Sequence, residues 1–253
     1  MKKVDYDDWQ HAVYVAGRQM SDEAQNAWMD AFGRHLPHVR PLRWLDLGSG
    51  TGRLTPALAT AFGGPVSGVE PSHKMRAHAL ATARHPSVTY RAGTAEAIPL
   101  PDASCDAALL FYVWHHVVDR PRAVAELLRV VCPGGKLFVR TNLADRMPDV
   151  WWFRILPEWL EADRRMYRPQ EDVINDFTTV GWRFESLDEV RWQRCANVTT
   201  EYERLKLRPT SLFEQLSDEE IAEGFARIEL VLPSIEDGQP VYETSDLLVF
   251  AHP

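Results

Sequence analysis

Cysteine is scarce in this chain. The three present, Cys105, Cys132 and Cys195, are odd in number and far apart. That excludes a small domain stapled by disulfides and suits a reducing, cytoplasmic setting. Long apolar runs are also missing: no stretch reaches the roughly eighteen residues of a membrane-spanning helix. The N-terminal segment, Met1 to Trp9, carries three aspartates and lacks an apolar core, so it does not read as a signal peptide. Positive charge is in deficit, with 28 Lys and Arg against 36 Asp and Glu, a formal net charge of −8. An acidic surface repels a phosphate backbone, which speaks against a nucleic-acid partner. Arginine pairs such as Arg164–Arg165 sit beside Glu161 and Asp163 and read as a solvated helix face. Repeats and low-complexity stretches are absent as well.

What remains is an ordinary globular composition, 45% hydrophobic and 25% charged, over 253 residues. That length suits one sizeable domain with additions. The first forty residues read as helical, with Trp28, Phe32 and Leu36 spaced by four in an apolar stripe that Pro37 and Pro41 end. Short strands and helices then alternate. Strands are expected at Arg43–Leu47, Val66–Val69, Val88–Arg91, Asp106–Tyr112 and Lys136–Thr141, with helices at Leu54–Phe62, 72–84 and 121–131. Such alternation implies an α/β fold, a parallel sheet with helices on both faces. Beyond Thr141 the rhythm breaks into an aromatic stretch, 142–168. A helix from Pro169 to Val180 and a strand over Phe184–Trp192 follow, then two capping-box helix starts at Thr200–Glu203 and Ser217–Glu220, and a final strand over Asp246–Ala251. The expected organisation is an N-terminal helical cap over 1–40 and a ligand-binding domain over 41–253, with cap insertions near 142–168 and 199–233.

The chemistry is concentrated at Asp46-Leu-Gly48-Ser49-Gly50-Thr-Gly52, a strand, a glycine turn and a helix start. Glycines there admit positive φ and let a ligand approach the backbone, and the helix N-terminus offers free amide donors. Glu70 stands 24 residues after Asp46, at the end of the second strand, where an acid can accept from both hydroxyls of a ribose. Dinucleotide enzymes need a third glycine where this chain has Arg53. Asp46 would repel a diphosphate and attract a cation such as a methionine ammonium.

The pattern Asp-x-Gly-x-Gly-x-Gly resembles the first motif of class I S-adenosylmethionine (SAM)-dependent methyltransferases. Residues 91–119, including Trp114-His115-His116, and the Leu-Leu-Arg-Val-Val-Cys-Pro-Gly-Gly-Lys-Leu block within 121–139 resemble the motifs that follow. In order and spacing they are similar to the ubiquinone/menaquinone biosynthesis and small-molecule methyltransferases, over roughly residues 40–142. The resemblance implies a Rossmann-like, seven-stranded, mostly parallel sheet and SAM as cofactor. It also implies that Asp46, Gly48, Ser49, Gly50 and Gly52 line the methionine and ribose, and that Glu70 holds the ribose. Pro71 and Met75 would lie against the adenine, and Thr94, Ala95 and Glu96 near its amino group. Thr94 stands where the family usually has Asp. Phe111 and Tyr112 would sit beside the sulfonium. Tyr14 and Arg18, one helical turn apart, could reach the methionine carboxylate.

His115, as a proton acceptor, and His116 are candidates for the acceptor side, as are Trp151 and Trp152, although all four have plain packing readings too. Adjacent histidines without further ligands do not make a metal site. The family's Asn/Asp-Pro-Pro-Tyr stretch for amide and base nitrogens is replaced by Leu110-Phe111-Tyr112-Val113. A small organic acceptor, methylated at O, N or C, is therefore the leading expectation. A protein or RNA methyltransferase and a non-catalytic SAM-binding protein are the alternatives. Oligomeric state is left open.

Overall fold

The structure, a computed structural model, describes residues 20–235 and 238–253. Its first described helix, α1 (Asp22–Gly33), is capped by Ser21, whose hydroxyl accepts from the Ala24 amide. The alternating unit follows as β1 (Trp44–Leu47), α2 (Thr55–Phe62), β2 (Val66–Glu70), α3 (His73–Thr82) and β3 (Val88–Ala92). Next come β4 (Cys105–Phe111), α4 (Arg120–Val130) and β5 (Val131–Arg140). The sheet runs β3-β2-β1-β4-β5-β7-β6. Strand β7 (Val241–Ala251) is antiparallel to both β5 and β6 (Arg183–Cys195), and the other pairings are parallel.

Both faces of the sheet are covered, which explains why its central strands are apolar without a break. Along β4, Leu109 joins a cluster with Trp28 and Phe32 of α1 and Leu58 and Phe62 of α2. The next residue, Leu110, joins the opposite cluster with Val124 and Leu127 of α4 and Val173 and Phe177 of α7 (Gln170–Thr178). Phe138 and Val139 of β5 divide in the same way. The Pro133-Gly134-Gly135 segment makes a bulge. Val131 pairs with Cys105, and the register resumes only at Lys136 opposite Ala107.

A third cluster lies apart from the sheet. It joins Trp152 and Phe153 of α5 (Trp151–Ile155) and Trp159 of α6 (Pro157–Arg164) to Tyr202 and Leu205 of α8 (Val198–Lys206) and Ile221 and Ile228 of α9 (Asp218–Val231). Residues 142–168 and 199–233 thus share one apolar core. Helix α9 starts on a full capping box between Ser217 and Glu220, as expected. Helix α8 starts earlier than the expected Thr200, because the Asn197 carboxamide accepts from the Thr200 amide at 2.7 Å and caps the helix itself.

Candidate active site

Strand β1 lies between β2 and β4, so the chain leaves it toward one neighbour and returns on the other side. Ligands of such sheets bind where the strand order reverses, at the carboxyl ends. The glycine turn sits there. The amides of Gly48 and Ser49 both reach the Val69 carbonyl, at 2.7 and 3.2 Å. Gly48 adopts φ +71°, and a Cβ there would fall 2.4 Å from the Val113 side chain. Gly50, at φ +56°, is different: a Cβ would meet nothing nearer than Met75 Cε at 3.8 Å. Among the described residues its nearest wall is therefore the residue expected beside an adenine.

Glu70 closes the turn from the β2 side. Its carboxylate accepts from the Gly50 amide at 3.0 Å and from the Ser72 amide at 2.9 Å. Ser72 in turn caps α3, accepting from the Met75 amide. Asp46 is buried, and Thr55 Oγ1 donates to its Oδ2 at 2.7 Å. Burial pushes its pKa up to about 6, against the lowering effects of Thr55 and of nearby Arg53. The buried Ser49 hydroxyl has no hydrogen-bond partner among the described residues. Among the described residues, a crevice with two acids, an orphaned hydroxyl and a glycine edge with no close neighbour fits a ligand with a cationic group and vicinal hydroxyls.

Beyond the turn, β4 ends at Phe111, and Tyr112 follows at φ +62°, a strained conformation for a side chain this large. Several contacts hold it there. Its amide donates to the Arg140 carbonyl at 2.8 Å, its hydroxyl accepts from the Arg140 guanidinium, and that guanidinium carbon lies 3.9 Å from its ring centroid. Phe111 meets Trp28 edge-on at 4.8 Å, and the Arg53 guanidinium lies 5.2 Å from its centroid. The residue that replaces a packing glycine thus reaches across to the end of β4.

A cavity of about 60 Å³ opens here, lined by Arg53, Phe111 and Tyr112 from the sheet and by Trp152, Trp192, Arg194, Glu201 and Arg204 from the later elements. Beneath it runs a buried chain of charges. Arg140 donates to Glu243 at 2.9 Å, and Arg194 pairs with both Glu243 and Glu201. Trp151 Nε1 donates to Glu201 at 2.6 Å. Burial alone would raise the Glu243 carboxyl, but Arg194 and Arg140 hold it below the usual range. Burial does raise Glu201.

Among the expected acceptor-side residues, Trp152 lines this cavity, with Arg194 4.8 Å from its ring, while Trp151 touches it only through Glu201. His115 and His116 lie apart from it. They stand on a 3-10 turn, Trp114–His116, with ring centroids 3.9 Å apart, and His115 packs within 5.0 Å of Tyr167. Neither lines the cavity. The Glu96 carboxylate accepts from the Val118 and Asp119 amides and braces the start of α4. Thr94 and Ala95 stay beside the end of β3, with Ala95 buried. Tyr14 and Arg18 lie outside the described residues. No three His, Cys, Asp or Glu side chains gather as a metal-holding group among the described residues. No helix among them is long and apolar enough to cross a membrane.

Arg140, Arg194, Arg204, Glu201 and Glu243 went unnoticed in the sequence. One signal was available for Arg140, a charge inside the strand Lys136–Thr141 next to Phe138 and Val139.

A family model described as "Methyltransferase domain" matches residues 45–139. An uncharacterized methyltransferase of Mycobacterium tuberculosis is 40% identical over 138 residues, 54% of either chain, so the match spans about half the length of that relative. The ubiquinone/menaquinone biosynthesis C-methyltransferase UbiE of Methylobacterium nodulans is 34% identical over 180 residues, 64% of this chain and 71% of that one. Among solved structures, phosphoethanolamine N-methyltransferase 2 of Haemonchus contortus, in complex with SAM, aligns with a TM-score of 0.63 at 19% identity. That alignment covers 98% of this chain and 59% of the other.

Proposed function

The chain belongs to the class I SAM-dependent methyltransferases, and we propose that it transfers a methyl group from SAM to the oxygen, nitrogen or carbon of a small organic metabolite. The observation that carries this reading is the pairing of Asp46 and Glu70 across a glycine turn whose open side faces Met75, immediately beside an aromatic-walled cavity. In this reading Asp46 faces the methionine ammonium, and Glu70 keeps its two backbone donors while accepting from the ribose. Pro71 and Met75 flank the adenine, Thr94 and Ala95 sit at its edge, and Phe111 and Tyr112 border the sulfonium. Tyr14 and Arg18 are proposed for the methionine carboxylate.

Bound SAM supplies a methyl group already activated by the sulfonium, so the protein's task is chiefly to align the nucleophile and keep water out. Tyr112, fixed by Arg140, forms the rigid wall between crevice and cavity. The core shared by residues 142–168 and 199–233 is proposed as the cap over that cavity. No proton transfer is assigned to His115 or His116.

The test is a transfer assay with methyl-labelled SAM and a cell extract separated into small-molecule, protein and RNA fractions. Label should enter the small-molecule fraction. Label confined to protein or RNA would contradict the reading.

A further inference from the structure

Arginines crowd the cavity beside Tyr112. Arg140 and Arg194 face Glu243 and Glu201, so those four charges cancel. Arg204 also lines the cavity and is half-buried. Its Nη1 lies 3.3 Å from the Arg194 carbonyl and 3.3 Å from Cys195 Sγ, and no carboxylate pairs with it among the described residues. A guanidinium presents five donors in a rigid fork, so most of this one remains available. Trp152, Trp192 and Phe111 supply flat apolar walls around it.

We propose that the methyl acceptor carries a carboxylate held by Arg204, on a flat apolar body that packs against Trp152 and Trp192. This rests on the methyl-transfer reading and names the acceptor class for the same site. Arginine's planar fork matches a carboxylate with two parallel hydrogen bonds. A phosphate ester carries about −1.5 to −2 at neutral pH and would add repulsion from Glu201 and Glu243. Arg204 acts here as a specificity residue, apart from the crevice formed by Asp46, Gly50 and Glu70.

The test uses three probes sharing one ring: indole-3-carboxylate, indole-3-carboxamide and indol-3-yl phosphate. Each is titrated by calorimetry into the full chain, with and without S-adenosylhomocysteine. The carboxylate should bind about tenfold or more tightly than the amide, the scale of a charge-assisted hydrogen bond. Arg204→Gln should erase that preference while leaving S-adenosylhomocysteine affinity unchanged. Arg204→Lys, which keeps the charge without the fork, should retain part of it and guards against a Gln variant that fails to fold. Equal binding of acid and amide, no binding of the acid, a preference that survives Arg204→Gln, or tighter binding of the phosphate would each overturn the proposal. Wild-type protein that does not bind S-adenosylhomocysteine would instead count against the methyltransferase reading, and the acid–amide comparison made without it would still stand.

Discussion

At the scale of single residues, Asp46 ties stability and binding together. Its carboxyl titrates near 6 because burial disfavours the charge. A carboxyl whose pKa rises on folding binds its proton more tightly in the native state. Stability is therefore fullest below the unfolded pKa and falls as pH rises from about 4 to about 6. A rise of that size costs roughly 3 kcal/mol at neutral pH in the unliganded protein. Asp46→Asn removes the charge and can still accept from Thr55. Its melting temperature should exceed that of the native protein at pH 7, with the gap closing by pH 4, while SAM affinity drops. SAM affinity of the native protein should also weaken as pH falls through about 6, where the facing carboxylate takes up a proton. A thermal scan across pH that shows Asp46→Asn no more stable at pH 7 would remove this account of the buried acid.

At the scale of elements, the packing of the late helices makes its own prediction. Gly224 lies within α9, where alanine would ordinarily gain about 1 kcal/mol. Here an added Cβ would fall 2.2 Å from Trp159 Cζ2, and Trp159 is itself buried among Phe213 and Phe225. Overpacking of that kind typically costs ~1–3 kcal/mol. Gly224→Ala should therefore lower the melting temperature, and a rise would contradict the contact between α6 and α9. The elements themselves were largely legible. Strands β1 to β4 and helices α2 to α4 fall within a residue or two of the spans that periodicity predicts, because apolar runs and glycine stops mark their ends. Strands β6 and β7 were not read at full length. Their extensions are Gln193 to Cys195 on β6 and Val241 to Ser245 on β7, where Gln193, Arg194, Glu243, Thr244 and Ser245 leave too little apolar pattern to mark a strand.

At the scale of the whole molecule, the legible part of the site is the part made from neighbours in sequence. Asp46, Gly50, Glu70 and Met75 lie within thirty residues of one another and carry their spacing openly. The cavity is lined by Tyr112, Trp152, Arg194 and Arg204 over the buried pair Arg140–Glu243, and these meet only because β7 inserts between β5 and β6 and helices α5, α6, α8 and α9 share one core. Charges buried in mutual pairs look like surface charges until their partners are known. That is why the turn could be picked out from sequence and the cavity could not.

The central claim is that the turn between Asp46 and Glu70 binds SAM. Calorimetric titration of the native protein, Glu70→Gln and Glu70→Ala with SAM and with NADH tests it most directly, alongside a melting scan, since Glu70 also accepts from the Gly50 and Ser72 amides. SAM should bind the native protein and NADH should not. Glu70→Ala should weaken SAM by ~1–3 kcal/mol, the scale of lost charge-assisted hydrogen bonds, with Glu70→Gln in between. Unchanged SAM affinity in a folded Glu70→Ala protein, or NADH binding as tight as SAM, would contradict the account.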